Sequence, residues 1–232
     1  MRNFWIKMNM LYERCLFILF FIFLLFGLYY FCDAYYLFQH ADNNDLLKYK
    51  PSASNYDAAA SPITNDMVGW LTINNTNIDY PVMQAETNTK YLNTDPYGQY
   101  SLSGSVFLDY RNDSEFSDDY SILYAHHMEY GKMFGALDNY LDKTYMTSHQ
   151  YGTLLVGRNG QKSYTIKIFA AMKGSARNKI IFEPTERNNI FSYIKSNAVI
   201  FTEERNDRIL AMSTCSEDDS VTRILVFAYI LE

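Results

Sequence analysis

The stretch from Cys15 to Cys32, 18 residues without a charged or strongly polar side chain, constrains this 232-residue chain more than any other feature. A helix rising about 1.5 Å per residue needs roughly 20 apolar positions to cross the hydrocarbon core of a bilayer. Ala34 to Phe38 extend the run at its far end, so residues 16–38 are expected to form a single transmembrane anchor. Arg2, Lys7 and Arg14 precede it, which places residues 1–15 in the cytoplasm and everything after the anchor outside the cell. The run ends Tyr29-Tyr30-Phe31-Cys32-Asp33, with bulky aromatics where a cleaved signal peptide needs small residues. The same side chains argue against lipoprotein cleavage before Cys32, and Tyr29, Tyr30, Tyr35 and Tyr36 suit an interfacial aromatic belt.

Charge divides along the same boundary. Of the formal net charge of −6, residues 1–32 carry +2 and residues 33–232 carry −8. An acidic external part cannot rely on phosphate neutralisation, so no nucleic-acid partner is expected. Three cysteines exclude a disulfide-dense scaffold and a zinc site built on several thiolates. Of the external residues 33–232 only Cys215 is a cysteine, and an unpaired external thiol is either buried and inert or functional.

Residues 39–64 include Lys50-Pro51-Ser52-Ala53-Ser54-Asn55 and Ala58-Ala59-Ala60-Ser61-Pro62, polar or small and without periodicity. They are read as an extracellular stalk or an N-terminal helical segment packed on the next domain, residues 65–232. That domain reads mainly as strands: Val68–Ile73, Ile78–Gln84, Gly104–Asp109, Ser121–Ala125, Thr153–Val156, Ser163–Met172, Arg208–Thr214 and Arg223–Leu231. Ile224 to Leu231 is apolar at every position, so this strand is expected to be covered on both faces at the centre of a barrel. Met133–Leu141 and Asn189–Ser196 place their apolar residues at helical spacing. The fold class is therefore mainly β with inserted helices, not an alternating β-α array.

The strand that reaches Cys215 is followed by Ser216-Glu217-Asp218-Asp219-Ser220, and the next strand opens at Arg223. Paired as an antiparallel hairpin, the two bring Arg223 beside Cys215, where a cation favours the thiolate and can stabilise an oxyanion. The acidic turn is read as a solvated loop, since it lacks the spaced oxygen ligands of a calcium loop. Among His40, His126, His127 and His149, the pair His126-His127 stands at a strand end, as a base paired with a cysteine should. From residues alone, the pair could equally be a hydrogen-bonded structural feature or, without further ligands at matched spacing, a poor metal site.

Several segments taken together resemble a known family. Val68-Gly69-Trp70-Leu71-Thr72-Ile73, Ile78-Asp79-Tyr80-Pro81-Val82-Met83-Gln84 and Thr87-Asn88-Thr89-Lys90-Tyr91-Leu92-Asn93 are similar to the N-terminal part of class B sortases. Gly104-Ser105-Val106-Phe107-Leu108-Asp109-Tyr110-Arg111-Asn112, Leu123-Tyr124-Ala125-His126-His127-Met128, Leu210-Ala211-Met212-Ser213-Thr214-Cys215 and Arg223-Ile224-Leu225-Val226-Phe227-Ala228 continue the resemblance in order. It implies a closed eight-stranded sortase β-barrel and a cysteine transpeptidase at the surface of a Gram-positive cell. Such an enzyme cuts a C-terminal sorting signal of a secreted protein after Thr and transfers that Thr to an amine of a peptidoglycan precursor or cross-bridge.

Carried over by position, Cys215 is the nucleophile, His126 the acid and base, and Arg223 the oxyanion partner. Asn88, Leu92, Ser213 and Thr214 fall at substrate-groove positions, and neither metal nor organic cofactor is implied. Ala125 stands where the family usually has Gly, which matters only if the backbone there needs positive φ. The stretch Lys173 to Ile181 departs from the family's threonine- and tyrosine-rich loop over the groove. Alternatives are a tethered cysteine peptidase that hydrolyses its acyl-enzyme, a pilin-polymerising sortase, and a binding domain with a structural cysteine. The order of His126 before Cys215 disfavours papain-like peptidases, in which the cysteine comes first.

Overall fold

The apolar run folds as part of one helix, α1, Arg2–His40, long and apolar enough to cross a membrane. Its large apolar side chains from Leu16 to Phe31 are exposed. The computed structural model describes residues 1–40, 44–51, 61–184, 187–215 and 221–231; within these, the side chains of 36–40, 44, 187, 188 and 215 are not described. Residues 41–43 and 52–60 of the expected stalk, and the acidic turn Glu217-Asp218-Asp219, lie outside the described residues. Residues 1–40 form one unit and the rest of the chain a second.

In the second unit nine strands form one sheet: β1 Met67–Ile73, β2 Asp79–Met83, β3 Val106–Leu108, β4 Tyr120–Tyr124, β5 Tyr151–Val156, β6 Lys162–Ser175, β7 Ile200–Phe201, β8 Arg208–Cys215 and β9 Thr222–Leu231. The order is β5-β1-β2-β3-β4-β8-β9-β6-β7, and pairing of β5 with β6 closes eight of them into a barrel, with β7 hanging on β6 outside the closure. Closure removes the free sheet edges that would otherwise invite aggregation. Two neighbours run parallel, β2 with β3 and β4 with β8, and the other pairs are antiparallel.

The uniformly apolar strand β9 lies between β6 and β8, as its composition requires. Ile224, Val226, Ala228 and Ile230 join one core cluster, and Leu225, Phe227 and Tyr229 the other. The first cluster fills the barrel, together with Trp70, Leu71, Phe107 and Leu210 and with Phe134, Leu137 and Tyr140 from the connection after β4. The second lies on the opposite face of β9, covered by Ile181 of α4, Lys179–Phe182, and by Ile190 and Ile194 of α5, Arg187–Asn197. A bulge between Ile168 and Ala170 shifts the alternation of β6, so that Ile168 faces the first cluster and both Phe169 and Ala170 the second.

All eight expected strands are present, with ends moved by up to three residues. Within the expected Met133–Leu141 helix, Gly135–Leu141 is a 3₁₀ helix, and the Asn189–Ser196 segment lies inside α5. The short helices α3, Lys143–Ser148, and α4 carry too little periodicity to be seen in sequence. Their starts are set by Asp142 accepting from Tyr145 N–H at 2.8 Å and by Asn178 accepting from Ile180 N–H at 2.9 Å.

Part of the expected stalk packs on the barrel. In α2, Asn44–Leu47, Leu46 is buried in the first core cluster. Lys50 Nζ donates to Asp79 at 2.8 Å and 3.0 Å and to Thr72 Oγ1 at 2.8 Å, while Trp70 Nε1 donates to Asp79 at 2.6 Å. Further along, Arg158 donates to the carbonyls of Ser61, Ile63 and Thr64. Burying one leucine contributes about 1.5–3 kcal/mol. A chain beginning at Ser61 is therefore expected to melt several degrees below one beginning at Asn44 in a calorimetric scan.

Candidate active site

Strand pairing brings together residues that are far apart in sequence. Strands β4 and β8 run parallel with Tyr124 opposite Ser213, so both leave the sheet at the same edge. His126 comes two residues after β4, and Thr214 and Cys215 finish β8. Antiparallel pairing of β8 with β9 sets Cys215 directly opposite Arg223, the register expected of the hairpin. The Cys215 backbone is thus placed, although its side chain lies outside the described residues.

A cleft of about 380 Å³ opens here, lined by His126, Arg223, Ser213, Thr214, Asn88 and Leu92, with Phe107, Arg111, Tyr124, Ala125, Ala176 and Phe182. Every expected site residue whose side chain is described reaches it. Ala125 is absent from the residues with positive φ, so its methyl group is accommodated where glycine is usual.

His126 Nε2 lies 2.7 Å from the carbonyl oxygen of Leu92. A carbonyl can only accept, so Nε2 carries the proton and Nδ1 remains as the basic nitrogen. The Leu92 carbonyl can sit there because Gly104, at φ +59°, has no Cβ; one would run into the carbonyl oxygens of Tyr91 and Leu92. His127 is committed elsewhere, with Nε2 2.8 Å from Asp138 Oδ2, and does not line the cleft.

Arg223 is partly exposed and donates from Nη1 to the Thr222 carbonyl at 3.2 Å. Ser213 and Thr214 are 2% exposed, and among the described residues their hydroxyl oxygens have no hydrogen-bond partner. Buried polar atoms left unpaired are costly, and two of them lining one cleft suit a site completed by a polar ligand such as a peptide backbone.

Sequence reasoning missed the floor of this cleft. Asp109, just past β3, is fully buried and accepts from Arg111 Nε at 2.9 Å, Arg111 Nη2 at 2.8 Å, Asn88 Nδ2 at 2.9 Å and the Tyr124 hydroxyl at 2.9 Å. Burial pushes its carboxyl upward, but the hydrogen bonds from Arg111, Asn88 and Tyr124 outweigh it and hold the group below the usual carboxylate value. Burial and the Asp109 charge raise the Tyr124 phenol, which stays protonated as a donor. Asn88, expected as a groove residue, spends its amide on Asp109 and takes the Tyr110 N–H on its oxygen at 2.9 Å. The available signal was an aspartate closing an apolar strand two residues before an arginine.

A sortase-domain family model matches residues 71–231. Sortase B of Listeria monocytogenes is 34% identical over 163 residues, which cover 67% of this chain but only 65% of that protein's length. Sortase B of Staphylococcus aureus is 31% identical over 179 residues, 73% of this chain and 72% of that one. Among solved structures, a Streptococcus pyogenes class B sortase involved in pilus biogenesis superposes with a TM-score of 0.66 at 38% identity, covering 72% of this chain and 94% of that one. A Staphylococcus aureus sortase B–substrate complex gives 0.65 at 30% identity, covering 73% and 82%. Model, relatives and barrel agree: the chain belongs to the sortase family, in its class B branch.

Proposed function

We propose that this protein is a membrane-anchored cysteine transpeptidase that cleaves a C-terminal sorting signal after Thr and transfers the new carboxyl end to a cell-wall amine. The observation that carries the reading is the convergence of His126, Arg223 and the Cys215 end of β8 on one cleft, in a chain of the sortase family. Residues 16–38 of α1 would span the membrane with residues 1–15 in the cytoplasm. The cleft would then face the secreted proteins and wall precursors outside.

In this mechanism the Cys215 thiolate adds to the Thr carbonyl carbon, and Arg223 stabilises the tetrahedral oxyanion. Collapse breaks the peptide bond as protonated His126 delivers its proton to the leaving amine, leaving a Thr thioester on Cys215. An incoming amine gives a proton to neutral His126, attacks the thioester and releases the thiolate with a new amide bond. With Nε2–H held on the Leu92 carbonyl, one imidazole nitrogen, Nδ1, gains and loses the proton in both half-reactions. Asn88, Leu92, Ser213 and Thr214 serve the groove, the two unpartnered hydroxyls toward the peptide backbone and the Leu92 side chain as an apolar contact at the rim. No step calls for a metal or an organic cofactor.

The likeness to a pilus-associated sortase supports a second reading, in which the acceptor is a lysine of another protein subunit rather than a peptidoglycan amine. The full chain in detergent, incubated with a panel of sorting-signal peptides and either a peptidoglycan cross-bridge amine or a lysine-bearing subunit, separates the two. The expected result is cleavage after Thr with amine-dependent product; hydrolysis indifferent to either amine would establish a peptidase instead. Cys215→Ala is expected to abolish turnover, and His126→Ala to lower kcat about 10²–10⁴-fold. Arg223→Ala should cost about 10²–10³-fold in kcat, with Arg223→Lys recovering part of it, as read from initial rates.

A further inference from the structure

Arg111 joins the floor of the cleft to one of its walls. Its Nε and Nη2 grip the buried Asp109 carboxylate, and the same Nη2 donates to the Phe182 carbonyl at 2.7 Å, while Nη1 donates to Glu183 Oε2 at 2.9 Å. Phe182 and Glu183 close the segment 176–183, which comes after β6 and carries α4. Ala176 and Phe182 line the cleft from this segment, and Asn88 and Leu92 line it from the connection between β2 and β3. Phe182 also stacks on Tyr124 at 6.3 Å between ring centroids, 20° from parallel, and Tyr124 donates to the same Asp109 carboxylate.

Elsewhere the segment is held by Ile181, whose side chain is buried in the second core cluster and whose carbonyl accepts from Tyr120 at 2.7 Å, and by Ala176 N–H donating to Val221 at 2.8 Å. Beyond these anchors Arg111 alone, among the described hydrogen bonds, ties the Phe182 end of the wall to the floor. The guanidinium suits this because its planar fork presents two edges, one bidentate to Asp109 and one free to reach the neighbouring segment; a lysine ammonium can compensate Asp109 but cannot hold both.

We propose that Arg111 is a positioning residue that fixes the 176–183 wall against the groove floor, and through that wall sets the affinity for the sorting peptide rather than the rate of thioester chemistry. The inference rests on the sortase reading above for the identity of the peptide. It assigns Arg111 no contact with the reacting atoms. Asp109, Arg111 and Tyr124 keep their charge states through the neutral range, so the clamp itself adds no titration to the reaction.

The test uses the full chain in detergent and the best-cleaved peptide of the sorting-signal panel. Arg111→Lys, which leaves Asp109 a cationic partner, is expected to raise KM at least fivefold with kcat within twofold and an unshifted pH–rate profile. In the same protein, hydrogen exchange at the amides of 176–183 should accelerate at least fivefold while those of β4 and β8 stay unchanged. Glu183→Ala removes only the exposed limb of the clamp and should move KM by no more than twofold. Unchanged KM together with unchanged exchange would overturn the proposal. So would a fall in kcat with a shifted pH profile, which would put Arg111 in the chemistry, or faster exchange throughout the barrel, which would make it a general fold stabiliser. If the wild-type chain cleaves no sorting peptide, the sortase reading fails by itself, and the exchange comparison still decides whether Arg111 holds the wall.

Discussion

The parallel pairing of β4 with β8 is the constraint on which the site depends. Parallel neighbours cannot be joined by a tight turn, so the chain must make a long crossover between them. Residues 125–207 do this, and in doing so supply β5, β6, β7 and the helices α3 to α5. Because the two strands point the same way, the residues after Tyr124 and those after Ser213 leave the barrel together. An antiparallel arrangement would have put His126 and Cys215 at opposite ends of the barrel. The β8–β9 hairpin then returns the chain immediately, which is why Arg223 arrives at the same edge.

The edge is made rigid by its neighbours rather than by its own residues. Strand β9 contributes to both core clusters, so the β8–β9 pair is packed on each face and cannot tilt without opening one of them. On the other side, the buried Asp109 collects Asn88, Tyr124 and Arg111, three residues from three different segments. A carboxylate taken out of water is tolerable only when its lone pairs are filled by well-placed donors, and here they are. That requirement fixes the donors as firmly as they fix the carboxylate, so one buried charge orients much of the cleft floor.

Most of this architecture was legible in the sequence because period-2 and fully apolar strands are strong local signals. Ile224 to Leu231 announced a strand covered on both faces, and the Cys215–Arg223 register came from the short hairpin alone. The elements that escaped were of two kinds. Short ones such as β7, α3 and α4 are defined by tertiary packing or by a single capping side chain, and two to six residues carry no periodicity to read. The Asp109–Arg111–Tyr124–Asn88 cluster joins residues up to 36 positions apart, and their mutual bonding exists only once β3 and β4 are paired. For segment 39–64, read as a stalk or a helical segment packed on the domain, the residues that do the packing were not visible for a related reason. Leu46 and Lys50 look isolated in sequence, and only the barrel provides the apolar surface and the Asp79 carboxylate that hold them.

Choosing between two adjacent histidines shows what geometry adds. By residue type and spacing alone His126 and His127 are indistinguishable as bases, and only the family resemblance picks His126. Past the end of β4, however, consecutive side chains diverge, and their partners decide the rest. His127 meets the Asp138 carboxylate, an acceptor that holds its Nε2 as a donor away from the cleft. His126 meets a neutral carbonyl, which fixes one nitrogen as a donor and leaves the other facing the cleft chemistry. An imidazole that must serve as acid in one half-reaction and base in the next needs its orientation held by one nitrogen while the other exchanges the proton. Gly104 therefore matters to the proposed chemistry although it touches no substrate, because its missing side chain leaves room for the Leu92 carbonyl that holds His126.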